Sequence, residues 1–412
     1  MPGQADARMG LERNVSIVYV SFFALTVGSS LWFSLFTLYL DGVGLDAAWI
    51  GLIITAYNAA LSLTYLPSGR LSDMIGRRVP LMAGSLLLAV TLLLLQSTVN
   101  PVTILAIMVF IGVGNGLMTP AVNALVAESV KAERLGIAYA GYLISVTVAS
   151  IIGSAFSGFL VEIYGYQILF LIAAALAASA FILFYFYISE PRGSMHASYS
   201  AAVKRSFRAS VSETVRLLRE ERELTQLTSA LSFHSFGLSM ITPYFVLYAQ
   251  YVVAIDVVEA GLLISFLNLG MLVAQVPAGK MSDRLGPRLT LLLHVLLSTV
   301  TWVSYTFSWN FLSASTIITF HGAVGAMDMP ARRSFMMEYS TSITGKATII
   351  GTLDAIIGMV GTLAPLLGGL AWNNIGYAAP FFIAAVINTI AFLQLIPLLR
   401  RRRTVETSDN AA

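Results

Sequence analysis

Twelve long apolar runs constrain this chain more than any other feature of its sequence. A helix that spans a bilayer needs about 20 mostly apolar residues, and each run reaches about that length. The runs are continuously apolar and do not alternate with a period of two, which favours helices over barrel strands. They lie at 14–40, 47–69, 79–98, 101–127, 135–160, 166–188, 225–250, 257–279, 289–308, 311–331, 346–371 and 377–399. We therefore predict an all-α polytopic membrane protein with twelve transmembrane helices.

The composition agrees with a chain that faces lipid. Hydrophobic residues make up 57% and charged residues 11% of the sequence, whereas soluble domains have roughly 45–50% and about 25%. The first run, 14–40, is too long for a signal peptide, so we expect it to remain as the first helix. The chain has no cysteine, which excludes disulfides, thiolate metal sites and a cysteine nucleophile.

The basic residues set the predicted orientation. All 24 Lys and Arg residues lie in the terminal segments or in loops that fall on the same side as the N-terminus. The opposite loops carry only acids: Asp41, Asp46, Glu162, Asp256 and Glu259. By the positive-inside rule, both termini are predicted to be cytoplasmic in a cell membrane. Because the bases do not gather on one face, no nucleic-acid partner is expected.

The chain divides into three predicted parts. Residues 1–189 form the first six-helix bundle, 190–223 form a polar cytoplasmic linker, and 224–412 form the second bundle with a short basic tail. The end of the linker, "SVSETVRLLREERE", places its apolar residues on one helical face. This pattern predicts an amphipathic helix, which lies either at the membrane interface or in solvent.

The two bundles are predicted to be copies of one unit. The hinge "PSGRLSDMIGRR" at 67–78 recurs as "PAGKMSDRLGPR" at 277–288, 210 residues later. At that offset or one residue out of step, Gly51 matches Gly261, Asn58 matches Asn268, Gly112 matches Gly322, Pro120 matches Pro330, Glu128 matches Glu338, and Gly158 matches Gly369. Six is an even number, so both copies have the same orientation in the membrane. Parallel halves of this kind occur in transporters, which bind substrate between the halves.

With this hinge in both halves, the chain resembles the major facilitator superfamily over nearly its whole length. The pattern G-x-x-x-D-x-x-G-[RK]-[RK] between the second and third helices is that family's best-known motif, and here it recurs between the eighth and ninth. The resemblance implies two pseudo-symmetric six-helix bundles and secondary transport by alternating access. It also implies that the hinge locks the cytoplasmic side shut in one conformation.

The first hinge supplies five candidate gate residues. Gly69 is expected to allow a close helix approach, and Gly76 permits the positive φ of a tight reversal. Asp73 can accept hydrogen bonds from a helix N-terminus or an Arg side chain. Arg77 and Arg78 can reach lipid headgroups or neighbouring acids. The resemblance assigns the gate to Asp73, whereas the alternative is an ordinary cytoplasmic turn.

The second hinge departs from the pattern at one position. It carries Gly279, Asp283, Gly286 and Arg288, but Pro287 stands where the first copy has Arg77. The lock at Asp283 is therefore expected to be weaker or differently connected.

Few ionisable groups lie inside the predicted helices, and most of them belong to the second half. They are His234, His321, Asp328 and Asp354. Burying a charge in the bilayer costs on the order of 2.5–3.5 kcal/mol, which favours a functional reason for keeping it. One hypothesis is that Asp328 and Asp354, with His321 and His234, bind a coupling proton or a cationic substrate. The alternative is that Asp328 pairs with Arg332 to close the helix bundle. His294 lies on the ninth helix, a peripheral position in the family, and is not expected to take part.

Uncharged polar residues give candidates for a substrate cavity. They are Trp32, Asn58, Asn115, Tyr244, Asn268 and Gln275. Each of them is equally consistent with hydrogen bonding between packed helices.

The family's subtype patterns are incomplete in this chain. Proton-driven exporters of the family usually have Arg at the position of Met108. Antiporters of the family also tend to have the pattern G-P-x-x-G-G in the fifth helix. Here the fifth helix has glycines at 153 and 158 without that proline, and a similar pattern, "APLLGG", stands instead at 364–369 in the eleventh helix. We predict a secondary transporter that exports an amphipathic organic compound and uses protons as the coupling ion. The alternatives are an uptake symporter or facilitator for a small metabolite, and a polytopic membrane enzyme. We expect a monomer in the lipid bilayer without cofactor or metal.

Overall fold

The computed structural model describes residues 2–130, 134–190, 216, 218–337 and 346–399. Long helices joined by short turns dominate this part of the chain. They are α1 (Pro2–Phe33), α2 (Phe36–Gly42), α3 (Ala47–Ile75), α4 (Arg78–Leu95), α5 (Pro101–Ser129), α6 (Leu135–Tyr164), α7 (Gln167–Tyr187), α8 (Arg222–Ile241), α9 (Phe245–Tyr248), α10 (Val257–Leu285), α11 (Pro287–Tyr305), α12 (Phe311–Gly325), α13 (Asp328–Met337), α14 (Lys346–Gly361), α15 (Ala364–Asn374) and α16 (Ala379–Leu399), with a π-helical turn at Ala249–Val253.

Each predicted apolar run coincides with one of these helices or with a broken helix. Within the described residues, ten helices are long and apolar enough to span a membrane, and the bent pair Arg222–Ile241 and Phe245–Val253 makes an eleventh. The remaining run, 311–331, is divided between α12, which has 15 residues, and the charged helix α13. The predicted linker helix lies mostly outside the described residues.

The helices form two bundles with equivalent internal packing. In the first, α1 packs against α6 and α7, while α3 and α4 pack against α5. In the second, α8 packs against α14 and α16, while α10 and α11 pack against α12. This arrangement confirms the predicted all-α fold with two six-helix bundles.

The outward faces of both bundles are apolar. Large hydrophobic side chains are more than half exposed on most of the long helices, among them Leu63, Phe156, Phe186, Val273 and Val386. Such a surface is unfavourable in water and suits contact with lipid tails. The protein therefore crosses the membrane many times.

The second bundle contains two helix breaks that the first bundle lacks. Helices α5 and α6 are continuous, whereas their equivalents are interrupted at 326–327 and 362–363. Pro330 and Pro365 follow these breaks, and proline can neither donate a backbone hydrogen bond nor fit against the carbonyl four residues earlier. Pro120 lies inside the unbroken α5, so proline contributes to the breaks but does not alone cause them.

The bundles meet at two equivalent contacts of small residues, the first between α3 and α15. A Cβ atom added at Gly51 would lie 2.4 Å from the Pro365 carbonyl oxygen, and one at Gly369 would lie 2.1 Å from that of Ala47. The buried Tyr244 hydroxyl lies between the backbones of these two helices, 2.6 Å from the Pro365 carbonyl oxygen and 3.1 Å from the Ala47 carbonyl oxygen. Only glycine permits this approach of two helices.

The second contact joins α6 and α10. A Cβ atom at Gly158 would lie 2.3 Å from the Val257 carbonyl oxygen, and one at Gly261 would lie 2.7 Å from that of Ser154. The hydroxyls of Ser154 and Ser265 are hydrogen bonded at 2.8 Å. We call these two contacts together the glycine seal.

The glycine seal is made by duplicated residues that meet crosswise. Gly51 and Gly261 are copies of each other, as are Gly158 and Gly369, and each contact pairs one member of either set. All four residues lie toward the helix ends that adjoin the acidic loops. The same pair of glycine positions, present once in each copy of the duplicated unit, therefore makes both contacts of the glycine seal.

Adding a methyl group to the glycine seal should open it. Overpacking costs about 1–3 kcal/mol, which corresponds to about a 5- to 150-fold population change. Since the chain has no cysteine, Thr37→Cys provides a single reporter, and Thr37 lines a cavity of about 360 Å³ between the two bundles. Gly369→Ala should increase its labelling by a membrane-impermeant maleimide added from the side of the acidic loops.

Gly358→Ala is the matched control, because a Cβ atom there would meet no atom within 4 Å. Equal labelling rates in Gly369→Ala and Gly358→Ala would contradict a closing role for the glycine seal.

Candidate functional site

The hinge between α3 and α4 contains an ion network centred on Arg77. Its guanidinium contacts Glu128 at the end of α5 through two hydrogen bonds of 2.6 and 3.2 Å. A third contact, of 2.5 Å, joins it to Asp73 one helical turn earlier. The Arg77 residue is only 8% exposed. In this conformation the ion-pair partner of Asp73 thus belongs to the same bundle as Asp73 itself.

Glu190 caps the N-terminus of α4 at the same hinge. Its carboxylate accepts hydrogen bonds from the backbone N–H groups of Arg77 and Arg78 at 3.0 and 2.7 Å. Negative charge is favourable at a helix N-terminus. Gly76 has φ of +92°, and a Cβ atom there would lie 2.5 Å from a Glu190 carboxylate oxygen. Both the backbone angle and the carboxylate therefore require glycine at this position.

Gly69 does not provide the close helix contact that the sequence suggested, and its counterpart Gly279 makes no such contact either. An added Cβ atom at Gly69 would meet only Pro120, at 3.8 Å, and one at Gly279 would meet nothing within 4 Å. In this conformation, neither position brings two helices close together.

The second hinge has a different set of contacts. Gly286 has φ of +81°, but α11 begins with Pro287, so no guanidinium is available at that position. Within the described part of the chain, Asp283 makes no ion pair. Arg288 instead contacts Glu223 of α8 at 3.4 Å.

A cavity of about 360 Å³ lies between the two bundles, and we call it the central cavity. Aromatic rings form much of its wall, and Trp32 packs edge-on against Phe33 and Phe36 with ring centroids 5.3 and 5.1 Å apart. Hydroxyl and amide groups provide its polar surface. The lining residues, none of which carries a formal charge, include Ser29, Ser30, Trp32, Phe33, Phe36, Tyr57, Asn115, Ser150, Thr242, Phe245 and Asn268.

Three of the six predicted cavity residues line this space: Trp32, Asn115 and Asn268. The Asn115 amide donates to the Tyr57 hydroxyl at 3.2 Å. The Asn268 amide donates to the Ile264 carbonyl of its own helix at 3.0 Å.

The other three lie elsewhere. Tyr244 belongs to the glycine seal, and Asn58 lines neither of the two cavities that we describe. The Gln275 amide lies 3.5 Å from the Thr147 hydroxyl, so it links α10 to α6 across the bundle interface.

A second cavity of about 410 Å³ adjoins the central cavity inside the second bundle, and we call it the histidine chamber. The two share Thr242, Phe245, Leu267 and Asn268. The walls of the histidine chamber also contain ionisable groups: His234, His294, His321, Asp328 and Arg332. The structure thus brings together three of the four predicted coupling residues.

Arg332 connects the two predicted acids. It contacts Asp328 one turn earlier at 2.8 Å and Asp354 of α14 at 3.3 Å. The second contact is not aligned for a hydrogen bond, and the Asp354 Oδ1 atom is buried without one. The pairing of Asp328 with Arg332, which the sequence offered as an alternative, is therefore present, and it extends to Asp354.

The three histidines of the chamber form two groups. Nε2 of His234 lies 3.0 Å from Nε2 of His294. His321 is separate: its Nδ1 lies 2.8 Å from the Thr301 hydroxyl, and its ring packs on Trp302 with centroids 4.4 Å apart.

Sequence reasoning missed His294. Its helix was placed at the periphery of the bundle, but its side chain is 4% exposed and points inward. The position that corresponds to it in the first half is Gly84. The sequence did contain a signal for this residue: an imidazole is present in the second copy of an otherwise apolar helix and absent from the first.

Comparison with known proteins agrees with this architecture. Multidrug resistance protein MdtG of Proteus mirabilis (strain HI4320) is 24% identical over 392 residues, which cover 91% of this chain and 93% of that protein. Multidrug resistance protein MdtG of Salmonella typhimurium is 24% identical over 411 residues and covers 97% and 98%.

Solved structures and a family model support the same fold. A bacterial homologue of the human lysosomal transporter Spinster, in an inward-facing and occupied conformation, gives a TM-score of 0.71 at 14% identity and covers 97% of both chains. The nucleoside transporter NupG (D323A mutant) gives 0.77 at 12% identity and covers 94% of this chain and 99% of that one. The Major Facilitator Superfamily model matches residues 17–252 and again 227–412. The chain belongs to the Major Facilitator Superfamily.

Proposed function

We propose that the protein exports a small amphipathic organic compound by alternating access, with protons as the coupling ion. The central cavity carries this proposal. Its volume and its walls of aromatic and aliphatic side chains with scattered hydroxyls and amides are typical of sites for organic molecules. An uncharged lining suits neutral compounds, and exposed ring faces also suit cations. The name of the relatives, multidrug resistance protein, supports the same substrate class.

The glycine seal defines the conformational state. It lies beside the acidic loops, which the charge distribution assigns to the outer side of the membrane. With both termini in the cytoplasm, the seal closes the outer side, and the structure corresponds to an inward-facing state. Substrate then enters the central cavity from the cytoplasm and leaves after the seal opens.

The pairing of Arg332 with two acids supports proton coupling. Arg332 is shared between two carboxylates, and the Asp354 Oδ1 atom that faces it is buried without a hydrogen bond. An ionised oxygen without a hydrogen bond is costly inside a bundle. A proton on Asp354 removes this cost, and this acid has the weaker contact with Arg332.

The first hinge supports a gate on the cytoplasmic side. In the present state Asp73 forms an ion pair with Arg77, and the Asp73 side chain is 43% exposed. Exchange of this internal partner for a group on the second bundle would close the cytoplasmic side.

A facilitator or uptake symporter for a small metabolite is the second candidate. It is favoured by Met108, a fully buried residue of α5 at the position where exporters of the family usually have Arg.

Neutralising Asp354 should uncouple transport. In proteoliposomes, Asp354→Asn should reduce dye movement driven by an imposed pH gradient, because the site no longer binds a proton. We expect a reduction of about tenfold, which corresponds to a typical coupling free energy between two sites. Exchange of dye without a gradient should persist. Glu162→Gln, which removes an exposed acid from the last turn of α6, is the control. Unchanged gradient-driven transport in Asp354→Asn would refute the assignment.

Removing the aromatic wall should weaken substrate binding. Trp32→Ala deletes a buried ring that faces the central cavity, and we expect an increase in Kd for an aromatic dye of about tenfold, because aromatic anchors dominate such sites. Fluorescence titration of the purified protein measures the Kd. Trp309→Ala is the control, since Trp309 is 78% exposed. Equal Kd values for the two variants would argue against the central cavity as the binding site.

Removing Arg77 should weaken the first hinge. Arg77→Gln leaves Asp73 and Glu128 without their shared cation, which costs about 1–3 kcal/mol at most because both acids are partly exposed. The thermal unfolding midpoint in detergent should fall. Arg284→Gln at the second hinge should leave it unchanged, and an equal midpoint in both variants would mean that the network is not stabilising.

A further inference from the structure

The pair formed by His234 and His294 is not used by the carboxylate mechanism. The two rings meet edge to face, with centroids 4.8 Å apart and Nε2 atoms 3.0 Å apart. They are 5% and 4% exposed. A contact of this length between two nitrogens needs a hydrogen atom between them, since two lone pairs would repel each other.

The position of that hydrogen follows from the outer partner of His294. Its Nδ1 lies 3.0 Å from the carbonyl oxygen of Val324, which can only accept. Nδ1 of His294 therefore carries a hydrogen, and in the neutral ring Nε2 is an acceptor. The hydrogen in the contact between the rings then belongs to Nε2 of His234.

Asn388 of α16 determines what remains for His234. Its side-chain amide lies at 3.2 Å from Nδ1 of His234 and is 1% exposed. With Oδ1 toward the ring, Nδ1 carries a second hydrogen and the pair is cationic. With the amide turned by half a rotation, its NH₂ group donates to Nδ1 and the pair is neutral. All four imidazole nitrogens are thus hydrogen bonded in both protonation states, and the asparagine amide has to turn between them.

We propose that His234 and His294 form a buried site for one proton, which is gained and lost at Nδ1 of His234 during transport. This role rests on the proposed function, and it adds a second proton position to the one at Asp354. The first bundle has Ala24 and Gly84 at the equivalent positions, so the fold itself does not need the imidazoles.

The surroundings contain the charges that such a site needs. His321 of α12 and Asp328 and Arg332 of α13 line the same histidine chamber, and Asp354 of α14 contacts Arg332. Helices α15 and α16 have no charged residue, and α10 faces the chamber with uncharged side chains. Ionised Asp328 attracts an imidazolium at His234, whereas Arg332 and a second imidazolium at His294 repel it, so the pair holds one proton and not two.

Imidazole ¹⁵N spectra of the full-length protein in lipid bilayers test the proton site directly. The chain has four histidines, so the signals can be assigned with single variants. We expect a coupling between the two Nε2 atoms across the hydrogen bond, and a one-proton change at Nδ1 of His234 between about pH 5 and about pH 8. His294→Gln should abolish the coupling. A His234 Nδ1 signal that does not change over this range, or a bound metal ion between the rings, would overturn the proposal.

Transport measurements test whether this proton takes part in the cycle. Asn388→Val removes the group that satisfies both states, so dye movement driven by a pH gradient should fall about tenfold while exchange without a gradient continues. Thr299→Val on α11 is the control, because that hydroxyl bonds only to its own helix. Unchanged gradient-driven transport would remove the pair from the cycle.

The proposed function and the proton site can be refuted separately. Wild-type protein that moves no dye under any condition would refute the proposed function, while the spectra would still decide whether the pair binds one proton.

Discussion

The interior of a bilayer offers no hydrogen-bond partner to a peptide group, and the rest of this structure depends on that constraint. It forces the chain into helices, and it makes every helix break a source of polar groups that need partners. The break before α15 illustrates the result. The Tyr244 hydroxyl donates to the Pro365 carbonyl oxygen within the second bundle. The Leu366 N–H group, which the break leaves without a partner in its own helix, donates to the Thr55 hydroxyl of the first bundle at 3.2 Å. This N–H group thus joins the two bundles.

Duplication explains the symmetric parts of the molecule, and divergence explains its chemistry. The glycine seal uses residues that both copies kept. The ionisable groups of the histidine chamber occupy positions at which the first half has apolar residues or glycine: Ala24, Gly84, Ile111, Met118 and Val122. Ile144 likewise stands at the position that corresponds to Asp354. The framework is therefore symmetric, whereas these ionisable side chains are confined to the second bundle.

The sequence predicted the features that depend on local pattern. Apolar runs gave the helices and the hinge repeat gave the two bundles, because length and spacing are enough to specify both. Partners could not be predicted in the same way. Whether Asp354 reaches Arg332, or His294 reaches His234, depends on the rotation and tilt of helices that are distant in sequence. Tyr244 was misplaced for the same reason, since its hydroxyl suits a cavity and a helix contact equally well.

The cap that Glu190 provides for α4 gives the hinge a mechanical connection. Glu190 is the first residue of the segment that joins the bundles, and its carboxylate is bonded to the backbone of Arg77 and Arg78. Because these two bonds join Glu190 to the first residues of the hinge helix, any displacement of Glu190 also moves the helix start beside Asp73.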